Sequence, residues 1–319
     1  MIVPKRHILS FTFLLLLMFS SYSQDNKQEF KPYTIETTYK KLKKYYPDVS
    51  PIEPIVSDKI KAETNVVYKT INGSQLKVDI YSPNTDETQT YPAVLLIHGG
   101  GWLTGSKENQ QVMAQHLALK NYVAITVSYR LGLEAPYPAA VLDLKDAILW
   151  IRKNAKTYNI EPNNIAVLGT SAGAQLATLI GVAPKNDTFG DTSEISKSVK
   201  AIINIDGIVS FIHPEASAEG KMASIWLNGT KSENFKNWKE ASPLEYVNAS
   251  TPPTLFINSS QERFHAGRDD MILLLDKYKI YSETHTLEDS PHSFWLLHPW
   301  FETTLNHTVN FLNEIMLSN

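Results

Sequence analysis

Residues 165–173 read IAVLGTSAG, and this stretch decides the expected fold. The apolar run at 165–168 predicts a buried strand, the residues from Ala174 onward favour a helix, and Ser171 occupies the tight turn between them. Glycines are needed at 169 and 173, because a Cβ at either position would collide with the neighbouring strand or helix. Such a turn lifts the Ser171 hydroxyl into the open and predicts a nucleophile. A glycine-rich turn that binds phosphate at the helix start is the alternative.

A second glycine-rich turn follows the apolar run at 94–97 and reads HGGGW at 98–102. Glycines at the carboxyl end of a central strand leave bare backbone N–H groups facing a cleft. Acyl transfer passes through a tetrahedral oxyanion, which each preorganised N–H donor stabilises by about 3 kcal/mol. We therefore expect the N–H groups of Gly100, Gly101 and Ala172 to form an oxyanion hole. A turn that binds no ligand is the alternative.

Apolar runs alternate with helical patterns in the second and largest part of the chain. The runs lie at 94–97, 123–127, 165–168, 201–205 and 254–257, a last strand is expected at 284–287, and the helical patterns include 139–153, 270–279 and 302–317. Continuous apolar runs are typical of parallel strands that are buried on both faces. Before them, two strand-like runs flank Asn72-Gly73, which predicts an antiparallel hairpin. The sequence predicts one α/β domain with a mostly parallel central sheet and helices on both faces.

The chain begins with two segments that differ from this domain. Positively charged residues precede an apolar run at 8–19, a pattern typical of a secretory signal peptide at 1–23. We expect an exported protein, secreted or periplasmic, without membrane contact after cleavage, and an uncleaved anchor is the alternative. Residues 24–61 are polar and rich in lysine, which predicts an exposed arm that precedes a domain at 62–319.

The composition excludes several classes of protein. The net charge of −3 gives no reason to expect a basic surface for nucleic acid or anionic membranes. The chain has no cysteine, and its histidines lack the spacing of metal-ligand motifs. We expect no metal and no cofactor, and neither nucleic acid nor a membrane as a partner, and the sequence leaves the oligomeric state open.

Three motifs, HGGGW at 98–102, GTSAG at 169–173 and PHSFW at 291–295, resemble those of the α/β-hydrolase fold of the esterase and lipase type. Within that fold the chain is most similar to secreted carbohydrate esterases of the feruloyl, acetyl-xylan and pectin esterase group. The resemblance implies a serine esterase that hydrolyses carboxylic esters on a plant polysaccharide. A serine peptidase of the same fold and an inactive relative that binds carbohydrate are the alternatives.

The resemblance implies catalytic residues in the order serine, acid, histidine. His292 is the expected base, because it follows the last predicted strand within the PHSFW segment. His285 lies inside that strand, His298 precedes a proline and His307 lies in the closing helix, which disfavours all three.

The acid is expected in the loop after the strand at 254–257, where most relatives carry a glycine-aspartate-x-aspartate turn. This chain reads NSSQERFH at 258–265 instead, and Glu262 falls where the acid normally stands. Glutamate can orient an imidazole as aspartate does. Asp206, at the end of an earlier strand, and Asp269 are the alternatives.

The residues after the expected acid bear on the substrate. We expect Arg263 and Arg268 at the rim of the site, where arginine forks match carboxylates, and we expect Trp102 to contact substrate as well. Pectin is a chain of uronates, so methyl or acetyl esters of galacturonan are favoured over acetyl-xylan or feruloyl esters. A pairing of Arg268 with Asp269 or Glu262 is the alternative role for that arginine.

The stretch at 207–247 has no clear strand and lies between two predicted strands of the sheet. An insertion there would cover the carboxyl ends of the strands, where open α/β sheets bind ligands, so a lid is expected. Trp226 and Trp238 are expected to pack the insertion onto the sheet, and a role in lining a substrate groove is the alternative.

Overall fold

The centre of the fold is a sheet of eight strands in a computed structural model that describes residues 30–85, 89–184 and 196–317. The described strands are β1 (Ser50–Pro51), β2 (Ile60–Ile71), β3 (Ser74–Pro83), β4 (Tyr91–Ile97), β5 (Val123–Val127), β6 (Ile160–Thr170), β7 (Ala201–Ile205), β8 (Thr254–Asn258), β9 (Ser282–Thr286) and β10 (Leu297–His298). The central sheet has the order β2-β3-β5-β4-β6-β7-β8-β9, and β1 pairs separately with β10. The signal peptide predicted at 1–23 lies outside the described residues.

Six neighbouring strands of this sheet are parallel, in the order β5, β4, β6, β7, β8 and β9. At the other end, β3 is antiparallel to β5, and β2 is antiparallel to β3. Asn72 and Gly73 connect β2 to β3 with φ values of 49° and 84°, the left-handed backbone that a two-residue hairpin turn requires. The α/β class, the mostly parallel sheet and the hairpin are therefore confirmed.

Helices cover both faces of the sheet. The described helices are α1 (Ile35–Leu42), α2 (Gln111–Ala118), α3 (Ala139–Lys153), α4 (Ala172–Val182), α5 (Gly220–Trp226), α6 (Phe235–Glu240), α7 (Arg268–Lys277) and α8 (Trp300–Met316). One face carries α2 and α8, whose apolar residues share a buried cluster with Val94 and Leu96 of β4 and with Ile203 of β7. Side chains alternate along a strand, so Ile202 points to the other face, where it meets Gly181 of α4. The prediction of helices on both faces is confirmed.

The exposed arm predicted at 24–61 is wrong from residue 32 onward, because residues 32–61 belong to the same compact unit as the described part of the domain. Tyr33, Ile35 and Leu42 pack against the core, while Lys40 and Lys41 lie on the solvent side of α1. Ile52 is only 3% exposed and follows β1. A lysine-rich composition concealed an amphipathic helix, whose apolar face is set by the 3.6-residue period and not by the average polarity.

The register of the parallel strands brings several strand ends to one edge of the sheet. Ile97 of β4 lies opposite Gly169 of β6, Thr170 of β6 opposite Ile205 of β7, and Ile205 opposite Ile257 of β8. Because carboxyl ends of parallel strands meet at the same edge, the residues that follow each of them are neighbours.

Candidate active site

Ser171 stands at the turn between β6 and α4 with φ 54° and ψ −122°, a conformation that side chains rarely adopt. The flanking glycines permit this turn because backbone atoms of neighbouring residues lie where a Cβ would be. A Cβ on Gly169 would lie 2.0 Å from the carbonyl oxygen of Gly173, and one on Gly173 would lie 2.2 Å from the carbonyl oxygen of Ile97. The Ser171 N–H donates to the carbonyl of Ile205 at 2.8 Å, which ties the turn to the neighbouring strand.

His292 lies in the loop after β9 and meets the serine directly. Its Nε2 is 2.8 Å from Ser171 Oγ. The imidazole stacks on Phe264, with ring centres 3.5 Å apart and planes inclined by 13°, and Trp295 packs edge-on against it. Ring packing on two sides limits rotation of the imidazole and keeps Nε2 directed at the serine.

Asp206 follows β7 and provides the third group of the chain. The Nδ1–H of His292 donates to Asp206 Oδ2 at 2.7 Å, and the N–H of Ser259 donates to Oδ1 at 2.8 Å. The carboxylate is fully buried. Burial by itself would raise the pKa of Asp206, but the imidazoles of His265 and His292 and the N–H of Ser259 hold this pKa well below its usual range. Asp206 is therefore ionised at neutral pH and can stabilise a protonated His292.

The prediction of Glu262 as the acid is contradicted by this geometry. Glu262 lies in a short 3₁₀ turn at Glu262–Phe264 with its residue exposed, and no hydrogen bond or ion pair joins its carboxylate to His292 within the described ranges. Asp269, the other alternative, pairs with Arg268 instead. Asp206 occupies the acid position because Thr170 and Ile205 are paired in register, so the residues that follow them are adjacent.

The HGGGW turn lies against the serine turn. A Cβ on Gly99 would lie 3.0 Å from Ser171 Cβ, and Gly100 and Gly101 have φ values of 123° and 59°. The N–H groups of Gly100, Gly101 and Ala172 donate to no atom of the residues that the structure describes. Backbone N–H groups that lie near a nucleophile and have no acceptor can hold an oxyanion. The prediction that these three groups form an oxyanion hole therefore stays open to test.

The three residues expected to contact substrate differ in their surroundings. Trp102 is 3% exposed, donates its Nε1–H to Gln175 at 2.9 Å, and lines a shallow cleft together with Ser171 and Phe264. Arg268 binds Asp269 and Asn258, which is the alternative role set out for it. Arg263 is exposed and lies over the Phe264 ring, with 4.3 Å from the guanidinium carbon to the ring centre.

The 207–247 stretch forms α5, α6 and short 3₁₀ turns. Trp226 is fully buried and stacks on Trp102 at 5.2 Å, and Trp238 donates its Nε1–H to the carbonyl of Gly229 at 3.0 Å. Trp226 thus packs the insertion against the HGGGW turn, whereas the contacts of Trp238 lie within the insertion itself. The position over Gly101 is taken by Met222 of α5, whose Cε would lie 2.4 Å from a Cβ on that glycine. The insertion therefore reaches the oxyanion turn.

Comparison with known proteins identifies the family. The BD-FAE family model matches residues 78–266, which is more than half of the chain. The chain belongs to the BD-FAE family. The matched range contains the serine turn, the HGGGW turn and Asp206, and it ends before His292.

Curated relatives of this BD-FAE family chain include hydrolases from mycobacteria and a virus. It is 26% identical over 197 residues to the probable carboxylic ester hydrolase LipM of Mycobacterium tuberculosis, an alignment that covers 60% of the chain and 44% of LipM. For the esterase LipC of the same organism the identity is 27% over 192 residues, covering 58% and 48%. The chain thus spans about half the length of these relatives. A putative α/β hydrolase of Acanthamoeba polyphaga mimivirus is 22% identical over 92% of both chains.

Solved structures similar to the BD-FAE family chain are esterases. The propionate-bound thermophilic esterase from Thermogutta terrifontis has a TM-score of 0.67 at 24% identity, covering 80% of this chain and 94% of that one. A truncated carbohydrate esterase from gut microbiota has a TM-score of 0.70 at 20% identity, covering 83% and 100%. These similarities establish the α/β-hydrolase fold.

Sequence reasoning missed several residues that support the site of this family member. The buried His98 holds the turn, because its Nδ1–H donates to the carbonyl of Gly99 at 2.8 Å and its ring stacks on Tyr129 at 4.4 Å. Burial lowers the pKa of His98 to about 4, so this imidazole is neutral near pH 7. His265 is a second imidazole at the acid, with Nε2 3.3 Å from Asp206 Oδ1 but without an aligned hydrogen bond.

Two further features bear on cofactors and membranes. Among the described residues, no group of three or more His, Cys, Asp and Glu side chains could hold a metal ion. Within the same residues, no helix combines the length and apolar character that crossing a bilayer requires.

Proposed function

We propose that this chain is a serine carboxylic-ester hydrolase. The observation that carries the proposal is the continuous chain of hydrogen bonds from Ser171 through His292 to Asp206. Nucleophile, base and acid at these distances form the constellation used by serine hydrolases on several unrelated folds. The names of the relatives and the family agree with this activity.

In the proposed reaction Ser171 attacks the ester carbonyl while His292 Nε2 accepts its proton. The N–H groups of Gly100, Gly101 and Ala172 stabilise the oxyanion, and the ionised Asp206 stabilises the imidazolium. His292 then protonates the departing alcohol and leaves an acyl-enzyme. A water molecule, deprotonated by His292, attacks this ester and releases the acid.

The cleft favours short esters. Trp102, Ile208 and Phe264 line it and place large side chains beside Ser171. A methyl or acetyl ester on a carbohydrate fits such a space, and one structural neighbour is a carbohydrate esterase. We place the substrate on a plant polysaccharide and the protein outside the cytoplasm, because the segment at 1–23 has the pattern of a signal peptide.

Pectic esters remain the first choice of polysaccharide, and Arg263 is the residue that supports them. A second cleft near the triad is lined by Glu215, Glu262, Arg263, His265, Arg268 and Asp269. Arg268 is engaged by Asp269 in that cleft, whereas Arg263 lies over Phe264 and forms no ion pair with a described residue. Its guanidinium is available for a uronate carboxylate.

The three carboxylates of the same cleft favour a neutral sugar chain, which makes acetyl-xylan the second candidate. Like charges repel a uronate polymer, so Arg263 must outweigh Glu215 and Glu262 for pectin to bind, whereas Asp269 is already paired with Arg268. The balance between these charges is what the experiment measures.

Hydrolysis of p-nitrophenyl acetate tests the activity itself, and its absence would contradict the esterase proposal and favour an inactive carbohydrate-binding relative. Methylated pectin, acetylated pectin and acetylated xylan, assayed by methanol and acetate release, then test the substrate. For pectin we expect Arg263→Ala to raise KM about three- to tenfold with unchanged p-nitrophenyl acetate kinetics. Lys236→Ala, which removes an exposed charge on α6, is the control. The pectic proposal would be wrong if the wild type hydrolysed acetylated xylan better than pectin and if Arg263→Ala left KM for pectin unchanged.

A further inference from the structure

Tyr33, near the start of the compact unit, contacts two loops of the active site. Its backbone N–H donates to Thr104 Oγ1 at 3.1 Å, and its hydroxyl donates to Ser293 Oγ at 3.0 Å. Its carbonyl accepts from Asn109 Nδ2 at 2.9 Å. Three hydrogen bonds from one residue span 71 to 260 positions of sequence.

Thr104 belongs to the turn that carries the oxyanion glycines. Its backbone N–H donates to the carbonyl of Gly100 at 3.1 Å, which closes the turn. A Cβ on Gly100 would lie 2.1 Å from the carbonyl oxygen of Thr104, so the two residues are in direct contact. A bond that holds Thr104 therefore holds the turn that lies against Ser171 through Gly99.

Ser293 follows His292 directly. It has a left-handed backbone with φ 76° and begins a 3₁₀ turn at Phe294–Leu296. The residue is 6% exposed, so its hydroxyl has little access to water. Any movement of Ser293 is transmitted through one peptide unit to the imidazole that bonds Ser171. The Tyr33 hydroxyl holds this position from outside the loop.

The surroundings of the Tyr33 hydroxyl suit a permanent contact. Burial raises the pKa of Tyr33 well above its usual range, so the hydroxyl keeps its proton and acts as a donor. A second anchor lies further along the same segment, where β1 pairs with β10 and the N–H of Ile52 donates to the carbonyl of Leu296 at 3.2 Å. Residues 33–52 therefore contact the histidine loop on both sides of Trp295, at Ser293 and at Leu296.

We propose that Tyr33 is a positioning residue that holds the His292 loop and the oxyanion turn in a fixed relation, an inference that rests on the proposed esterase function. It touches neither substrate nor the reacting atoms. Its effect is on the alignment of His292 with Ser171 and with the oxyanion donors, and such alignment acts on the chemical step.

The test replaces Tyr33 by Phe, which removes the hydroxyl and keeps the ring and the backbone bonds. We expect kcat for p-nitrophenyl acetate to fall about three- to tenfold with KM unchanged, the size that loss of one buried hydrogen bond produces. Ser293→Ala should cause a similar loss, and the double variant should lose no more than either single variant. Tyr39→Phe is the matched control, because Tyr39 lies on α1 and its hydroxyl contacts only Lys43 among described side chains.

Hydrogen exchange read by mass spectrometry tests the same contact without catalysis. In Tyr33→Phe, peptides covering 289–298 should exchange faster than in the wild type, while α3 peptides and the Tyr39→Phe protein should be unchanged. A wild type without esterase activity would contradict the proposed function, and the exchange result would still decide the role of Tyr33. Unchanged exchange at 289–298, an unchanged kcat in an active enzyme, or additive losses in the double variant would overturn the proposal.

Discussion

Two loops at the carboxyl edge of the sheet each carry a carboxylate, and only one of them serves the triad geometry. The β7 loop begins with Asp206, which is fully buried and bonded to His292 and Ser259. The β8 loop, residues 259–267, carries Glu262, which is exposed and lines an open charged cleft. The difference shows that strand register and burial select the acid, while residue type and position along a loop do not.

The β8 loop nevertheless serves the site of the β7 loop. Its Ser259 N–H bonds the Asp206 carboxylate, its Phe264 stacks on His292, and its His265 lies beside Asp206. One loop supplies the charge and the other supplies its hydrogen-bond donor and the packing of the base. Substitutions in the two loops should therefore differ in size and in kind.

The largest effect is expected from Ser171→Ala, which removes the nucleophile on which both loops converge. We expect kcat for p-nitrophenyl acetate to fall about 10⁴- to 10⁶-fold, with a folded protein by circular dichroism. This value sets the floor against which the two carboxylates are compared. A variant that keeps a tenth of wild-type kcat would remove Ser171 from this role.

Asp206→Asn and Glu262→Gln break or sharpen the comparison directly, because each keeps size and removes charge. We expect Asp206→Asn to lower kcat about 10²- to 10⁴-fold, since an amide cannot stabilise the imidazolium and favours the wrong tautomer of His292. Glu262→Gln should change kcat by less than about twofold, because an exposed charge is screened by solvent and salt. The reverse ranking would return the acid to the β8 loop.

An effect of a different kind is expected on stability at low pH. The pKa of Asp206 is lowered in the folded state, so below the unfolded value of about 3.9 the unfolded chain binds more protons than the folded one. The stability that Asp206 contributes is complete above that value and is lost as the pH falls toward the folded pKa. We would measure urea unfolding between pH 3 and 6, a range of about 3 units that includes the unfolded pKa. The free energy of unfolding should fall more steeply with decreasing pH in the wild type than in Asp206→Asn. Equal slopes would contradict the lowered pKa, and Glu262→Gln is the matched control.

Local sequence was sufficient for the parts of the site that sterics decide. The serine turn needs Gly169 and Gly173 because the backbone atoms of strand and helix leave no room for a Cβ, and this requirement is visible in nine consecutive letters. His292 was found from a motif in the last loop, and the structure places it beside Ser171. The continuous apolar runs predicted the parallel strands, because strands that are buried on both faces do not alternate with polar residues.

The acid could not be found in this way, although a signal was present. Asp206 and His292 are separated by 86 positions, and their contact depends on which strands are neighbours. The ends of the runs at 165–168 and 201–205, taken as adjacent parallel strands, would have placed Asp206 next to Ser171. Position along the β8 loop favours Glu262, whereas the adjacency of the two strand ends favours Asp206.

The sequence by itself determined the fold class, the hairpin and the serine turn, because each depends on sterics or burial within a short stretch of chain. Only the tertiary structure decided that Asp206 faces His292 and that Tyr33 joins the site. These contacts arise when distant segments pack, and the free energy of a hydrogen bond or ion pair depends on burial that no single segment encodes.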